Sequence, residues 1–146
     1  MGLLAQMQED LKVALKGGNS EVTGTIRMLQ AAVYNEHIAK GKDKELTDED
    51  IMAVLRKEAK KRRESADVFA GAGRKDLADK EEKELVLIKG YLPSELSDAE
   101  VDAIVAEVVA GGGSEFGKVM GAVMAKVAGR AESGKVSASV KKALGG

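Results

Sequence analysis

The chain has no cysteine and no tryptophan, a single proline (Pro93), and only two phenylalanines and two tyrosines among 146 residues. Without cysteine there is no disulfide framework, no thiol chemistry and no thiolate metal site, and a reducing cytoplasmic location is the expectation. So few aromatics leave the core to Leu, Val, Ile, Met and Ala, which favours helices packed on helices over a sheet. No apolar run approaches the roughly 18 residues that cross a bilayer, and the N-terminus lacks a signal-peptide pattern, so the chain reads as soluble, intracellular and free of the membrane. The length suits one domain of usual size or two small helical ones.

Charge of one sign is also lacking, with 23 bases against 24 acids. A balance of −1 gives no global electrostatic case for nucleic acid. The distribution says more: residues 94–109 hold five acids and no base, whereas residues 110–146 hold six bases against Glu115 and Glu132. The C-terminal end is thus locally basic on a near-neutral chain.

What is present is helical periodicity. Leu3, Leu4, Met7, Leu11, Ala14 and Leu15 outline a first helix that stops at Gly17-Gly18. A second, capped by Ser20, presents Val22, Ile26, Leu29, Ala32 and Val33 and ends near Gly41. A third opens on Thr47-Asp48-Glu49-Asp50, close to a capping box, and is broken by Gly71 and Gly73. Leu77, Glu81, Leu85 and Ile88 mark a fourth, closed by Gly90-Tyr91-Leu92-Pro93. There the only proline ends one helix and Ser97-Asp98-Ala99-Glu100 caps the next, so a domain boundary is expected, with domains over 1–92 and 93–146. A fifth helix ends at Gly111-Gly112-Gly113, Ser114 caps a sixth, and a short last one covers about residues 136–144. No strand alternation competes. The expectation is an all-α chain, about four helices and then a three-helix tail.

The sixth helix is the most informative segment. Gly117, Gly121 and Gly129 fall on a four-residue grid completed by Ala125, although each glycine costs about 1 kcal/mol in a helix interior. Projected at about 100° per residue, this row lies opposite a core stripe of Phe116, Met120, Val123 and Val127. Two contact faces follow. The small one either admits something close from outside or seats the helix on its own neighbours. Lys118 lies within it, Lys126 flanks it and Arg130 ends the helix, which gives the face a positive sign.

Other candidate chemistry has plainer alternatives. His37, the only histidine, has Glu36 beside it rather than one turn away, so a surface or capping role outweighs a catalytic dyad. Glu81, Glu82 and Glu84 are interleaved with Lys80 and Lys83 and read as a solvated face rather than a metal cluster. None of the three Gly-Lys pairs is followed by Ser or Thr, which excludes a P-loop. The run Gly111-Gly112-Gly113-Ser114 reads as a flexible linker with a cap, or as amides that hold an anion. Arg56, Lys60 and Arg63 share a face of the third helix and form a secondary basic patch, against which stands a salt-bridge-laced surface with Glu49, Glu64 and Asp67. Arg62 points to the apolar side, where it packs its stem and pairs with a carboxylate such as Glu58.

Three segments in order, Arg56-Lys57-Glu58-Ala59-Lys60-Lys61-Arg62-Arg63-Glu64-Ser65, then Tyr91-Leu92-Pro93-Ser94-Glu95-Leu96-Ser97, then Gly117-Lys118-Val119-Met120-Gly121 with Gly129-Arg130-Ala131, resemble the YqeY family. Arg27-Met28-Leu29 and residues 72–77 fit it as well. That family is similar to the C-terminal, tail-containing region of the B subunit of aspartyl/glutamyl-tRNA amidotransferase. The resemblance implies a helical domain followed by a small helical tail that helps to hold tRNA, with the amidotransferase chemistry done in a catalytic body this sequence lacks. No catalytic residue, metal or cofactor is therefore assigned, and a glutamine-dependent carbon–nitrogen ligase label would be inherited from the shared domain. Departures are Glu115-Phe116 where the family often has Asp-Met, Ala125 where it has proline, and Glu132-Ser133-Gly134 where it has Asp-Gly.

The reading is a non-catalytic module that contacts tRNA by shape and phosphate through Lys118, Lys126 and Arg130, with Lys141 and Lys142 as further candidates and Gly117, Gly121 and Gly129 permitting close approach. The alternative is a protein-interaction module that docks an amidotransferase or aminoacyl-tRNA synthetase subunit.

Overall fold

The computed structural model describes residues 2–145, among which there are seven helices and no strand. They are α1 (Leu3–Lys16), α2 (Ser20–Lys40), α3 (Asp48–Gly71), α4 (Lys75–Lys89), α5 (Asp98–Ala110), α6 (Phe116–Val127) and α7 (Ser133–Ala143). The chain divides into two compact units, Met1–Leu92 and Pro93–Gly146.

In the first unit the apolar faces of α1 to α4 meet in one core of Met7, Leu11, Ile26, Leu29, Val33, Ile51, Val54, Leu55, Ala59 and Ile88. Fully burying each large side chain contributes about 1.5–3 kcal/mol, so this core carries the unit. α2 is capped by Asn19, whose side chain accepts from the Val22 amide, and not by Ser20, which is the first helical residue. Thr47 and Asp50 close a full capping box at α3, with Asp50 N–H donating to Thr47 Oγ1 at 3.1 Å and Thr47 N–H to Asp50 Oδ2 at 2.9 Å. Asp50 also binds Lys40 at the end of α2. The Lys40 ammonium, then the Thr47 amide, hold its carboxyl down at about 2.

A charged cluster sits inside this unit. Arg62 is buried and pairs with Glu58 one turn earlier and, through Nε at 3.3 Å, with Glu84 of α4. Glu58 fulfils the sequence expectation; Glu84 does not, because it leaves the solvated acidic face to reach Arg62. Tyr91 packs against the apolar core and donates its hydroxyl to Asp10 of α1 at 2.6 Å. Burial, then that carboxylate, raise the phenol's pKa. This accounts for Tyr91-Leu92 physically, since both side chains anchor the end of α4 in the core.

The tail unit is a three-helix packing in which each helix touches the other two. Its core is Leu96 and seven valines: Val101, Val105, Val119, Val123, Val127, Val136 and Val140. Ser97 and Glu100 form a capping box at the start of α5, and the Ser97 amide, then its hydroxyl, hold the Glu100 carboxyl below its ordinary pKa. α7 begins at Ser133, three residues before the first of its buried valines, so the expected Ser133-Gly134 turn is helix.

Candidate nucleic-acid interface

The geometry of α6 follows from how the chain enters it. Gly111 terminates α5 through its amide, and Gly112 takes a φ of 107°, a conformation that favours glycine. Gly113 is the close approach in this segment: a Cβ there would lie 2.9 Å from Val119 Cγ2 and 3.3 Å from the Val108 carbonyl oxygen. The run is thus no loose linker but the point where α5 and α6 press together. Ser114 does not cap α6; the N-cap is Glu115, without a side-chain bond.

The inner stripe of α6 is Val119, Val123 and Val127. Met120 is half-buried, and Phe116, on the first turn before the stripe begins, is exposed. The stripe expected from sequence is thus kept at Val123 and Val127 but opens on Val119 rather than Phe116. The helix stops at Val127 because Ala128 adopts the left-handed conformation (φ 50°, ψ 44°) and Gly129 follows with φ 78°. Gly129 consequently leaves the small row and serves the turn. Gly117, Gly121 and Ala125 remain on the row and are exposed, and a Cβ at either glycine would meet nothing within 4 Å. The row does not seat α6 on its neighbours in the tail unit.

The cations divide. Lys118 stands beside the open row with its side chain 83% exposed, in a loose pair with Glu115 at 3.5 Å. Lys126 turns toward α5 and donates to Glu107 at 2.8 Å, which lowers the Glu107 pKa through that bond and its charge. Arg130 lies beyond the helix. Its Nε donates to the Ser94 carbonyl at 2.9 Å while its own carbonyl accepts from the Leu96 amide at 2.7 Å. Two segments of the motif, Ser94-Glu95-Leu96 and Gly129-Arg130-Ala131, are thereby clipped together. Lys141 and Lys142 are exposed in the last turn of α7, where cations suit the helix dipole, and have no ion pair among the described residues. Lys135 pairs with Asp98 at 3.7 Å. The base-rich and acid-rich segments thus partly neutralise each other on folding, and Lys118, Lys126 and Arg130 do not share one face.

The secondary patch on α3 is only partly laced. Arg56 and Arg63 are half-buried, Arg63 has a partner, and Lys60 lies 4.0 Å from Glu64. His37 is half-buried, with Nε2 enclosed and without a hydrogen-bond partner, so that nitrogen caps nothing. Among the described residues no group of His, Asp or Glu side chains is placed to hold a metal ion, and no helix is long and apolar enough to cross a membrane. Sequence reasoning missed the Gly113 contact, the Tyr91–Asp10 bond and the Glu84 partner of Arg62. The adjacent glycines were a signal for the first; nothing local marked the other two, which join residues 81 and 22 positions apart.

Comparison with known proteins places this architecture. A family model described as Yqey-like protein matches residues 4–144. A protein of Pyrenophora tritici-repentis named altered inheritance of mitochondria protein 41, mitochondrial, is 32% identical over 150 residues, covering 98% of this chain and 81% of that protein. An uncharacterised protein of Schizosaccharomyces pombe is 30% identical over 66% of this chain and 76% of its own length. The altered inheritance of mitochondria protein 41 of Eremothecium gossypii is 37% identical over 61% of this chain and 48% of its own. Four relatives carry "mitochondrial" in their names, which overturns the cytoplasmic expectation. Lack of cysteine bore only on redox chemistry and does not distinguish one reducing compartment from another.

Proposed function

From the premise that the chain belongs to the YqeY-like family, we propose that it is a non-catalytic helical module that docks tRNA, or an RNA-bearing partner, on the outer face of α6. One observation carries the reading: Gly117 and Gly121 weaken α6 by about 1 kcal/mol each relative to alanine, yet among the described residues nothing beyond the helix's own backbone and chain neighbours comes within 4 Å of a Cβ placed at either. A partner's backbone fits that space. Lys118 borders it, and an exposed pair of the Lys118–Glu115 kind is worth at most about 1 kcal/mol, so a phosphate displaces Glu115 at little cost. Lys141 and Lys142 supply further phosphate contacts. The likeness of the family to the tail of the amidotransferase B subunit is what nominates tRNA, and residues 1–92 and 93–146 are proposed as its two domains.

A second reading has its own support. Lys126 and Arg130 are already committed to Glu107 and the Ser94 carbonyl, which leaves the open face less basic than the sequence suggests and favours a docked protein helix, such as one from an amidotransferase or synthetase subunit. Binding of fluorescently labelled tRNA across a salt series separates the two. RNA docking predicts affinity that falls steeply with salt, and further losses in Lys118→Glu, in the Lys141→Ala/Lys142→Ala pair and in Gly121→Leu. Protein docking predicts no salt-dependent tRNA affinity at all. Undiminished tRNA binding by Gly121→Leu contradicts the placement on α6. Arg130 is unsuited to this test because its loss opens the Ser94 clip.

A further inference from the structure

The Arg62 cluster holds a feature that the binding reading does not use. Of the three guanidinium nitrogens, Nη1 meets Glu58 and Nε meets Glu84, while Nη2 meets the Met28 thioether sulfur of α2 at 2.8 Å. A thioether is a weak acceptor, and a guanidinium 7% exposed has little water to turn to. Met28 itself is 39% exposed, whereas Met7 is fully buried and Met52, Met120 and Met124 are partly buried. A partly exposed methionine therefore sets its thioether against a buried, poorly satisfied donor.

We propose that Met28 is a site of reversible oxidation by peroxide, whose sulfoxide product Arg62 holds. The sulfur lone pair attacks one peroxide oxygen, the O–O bond breaks, and that oxygen stays on sulfur while the other leaves as water; sulfur is oxidised and peroxide reduced. A dithiol returns the thioether, forming a disulfide and water. Sulfoxide in a sealed core disrupts packing, but here half-open surroundings keep the desolvation cost low and the new oxygen gives Nη2 a strong, charge-assisted partner. Glu58 and Glu84 hold the guanidinium in place beforehand. α2 is thereby tied more firmly to α3.

The test treats the full chain with sub-saturating hydrogen peroxide, maps methionine sulfoxide by mass spectrometry and compares urea midpoints before and after. Met28 is expected to oxidise several-fold faster than Met7, Met52, Met120 and Met124, with a midpoint that rises in the wild type, falls back after sulfoxide reduction, and does not rise in Met28→Leu treated alike. Met28→Gln, which offers an amide oxygen to Nη2, is expected to reproduce the gain without oxidant. Faster oxidation at Met52, Met120 or Met124, or a wild-type midpoint that stays level or falls, overturns the proposal.

Discussion

The two units solve the problem of a nearly aromatic-free core in opposite ways. The first unit mixes long flexible side chains, Met7, Leu11, Ile26, Leu29 and Leu55, and encloses a guanidinium between two carboxylates. The tail has no enclosed charge among its described core residues and relies on seven valines. Valine is stiff and small, so three helices must come close together to pack it, and Gly113 is where that closeness leaves no room for a side chain. A unit of this size has little surplus stability. Glycine therefore has two uses in one helix hairpin: inward contact at Gly113, and an outward opening at Gly117 and Gly121.

The contrast is broken most severely at Arg62. Arg62→Ala strands Glu84 in a largely dry site and leaves Glu58 only the exposed Lys61 at 3.5 Å; it is expected to cost about 3 kcal/mol in urea unfolding, a loss no single charge removal in the tail should match. The tail's counterpart is Gly113→Ala, which forces Val119 or the α5 backbone aside at about 1–3 kcal/mol. Gly121→Ala sharpens the point by inverting the sign: with open space around it, it is expected to stabilise the isolated chain by about 0.5–1 kcal/mol. If both glycine variants destabilise alike, the distinction between inward and outward glycines is wrong. The capping boxes are a more even comparison. Ser97→Ala and Thr47→Ala should each cost about 1 kcal/mol, and thermal unfolding followed for each unit will show whether the small tail melts at a lower temperature.

The smallest effect is on pH. The carboxyls of Asp50, Glu100 and Glu107 are all depressed by native partners, so their contribution is fully present above the ordinary carboxylate range and is lost as pH falls through the folded values, about 2 for Asp50. Because Glu100 and Glu107 are exposed and Asp50 is only half-buried, acid titration of stability should be shallow below about pH 4 and flat from there to neutrality. Stability that rises on acidification would contradict those pairings.

Much of the fold was legible because the relevant signals are local. Apolar residues at helical spacing, Thr47 and Ser97 three residues before an acid, and Pro93 before a fresh cap each act within one or two turns. The candidate site was less legible. Helical projection put Gly117, Gly121 and Lys118 on one outer face correctly, but it extended α6 through Gly129 and Arg130, since nothing in the sequence announces that Ala128 takes the left-handed conformation. Charge counted along the chain puts Lys126 and Lys135 in the basic end, while the fold sets them against Glu107 and Asp98 of the acidic helix. The sequence pattern turns Arg62 inward toward Glu58, yet its second carboxylate, Glu84, lies 22 residues along the chain on another helix.

The central claim is that the outer face of α6 is a docking surface for RNA. Backbone NMR of the full chain during titration with unlabelled tRNA tests it most directly. Shifts or broadening concentrated at Gly117, Lys118, Gly121 and Ala125, with the buried Val119 and Val123 moving little and the effect fading as salt is raised, are the predicted result. A titration that leaves those four amides unchanged, or that perturbs the α3 surface around Arg56 and Lys60 instead, would contradict it.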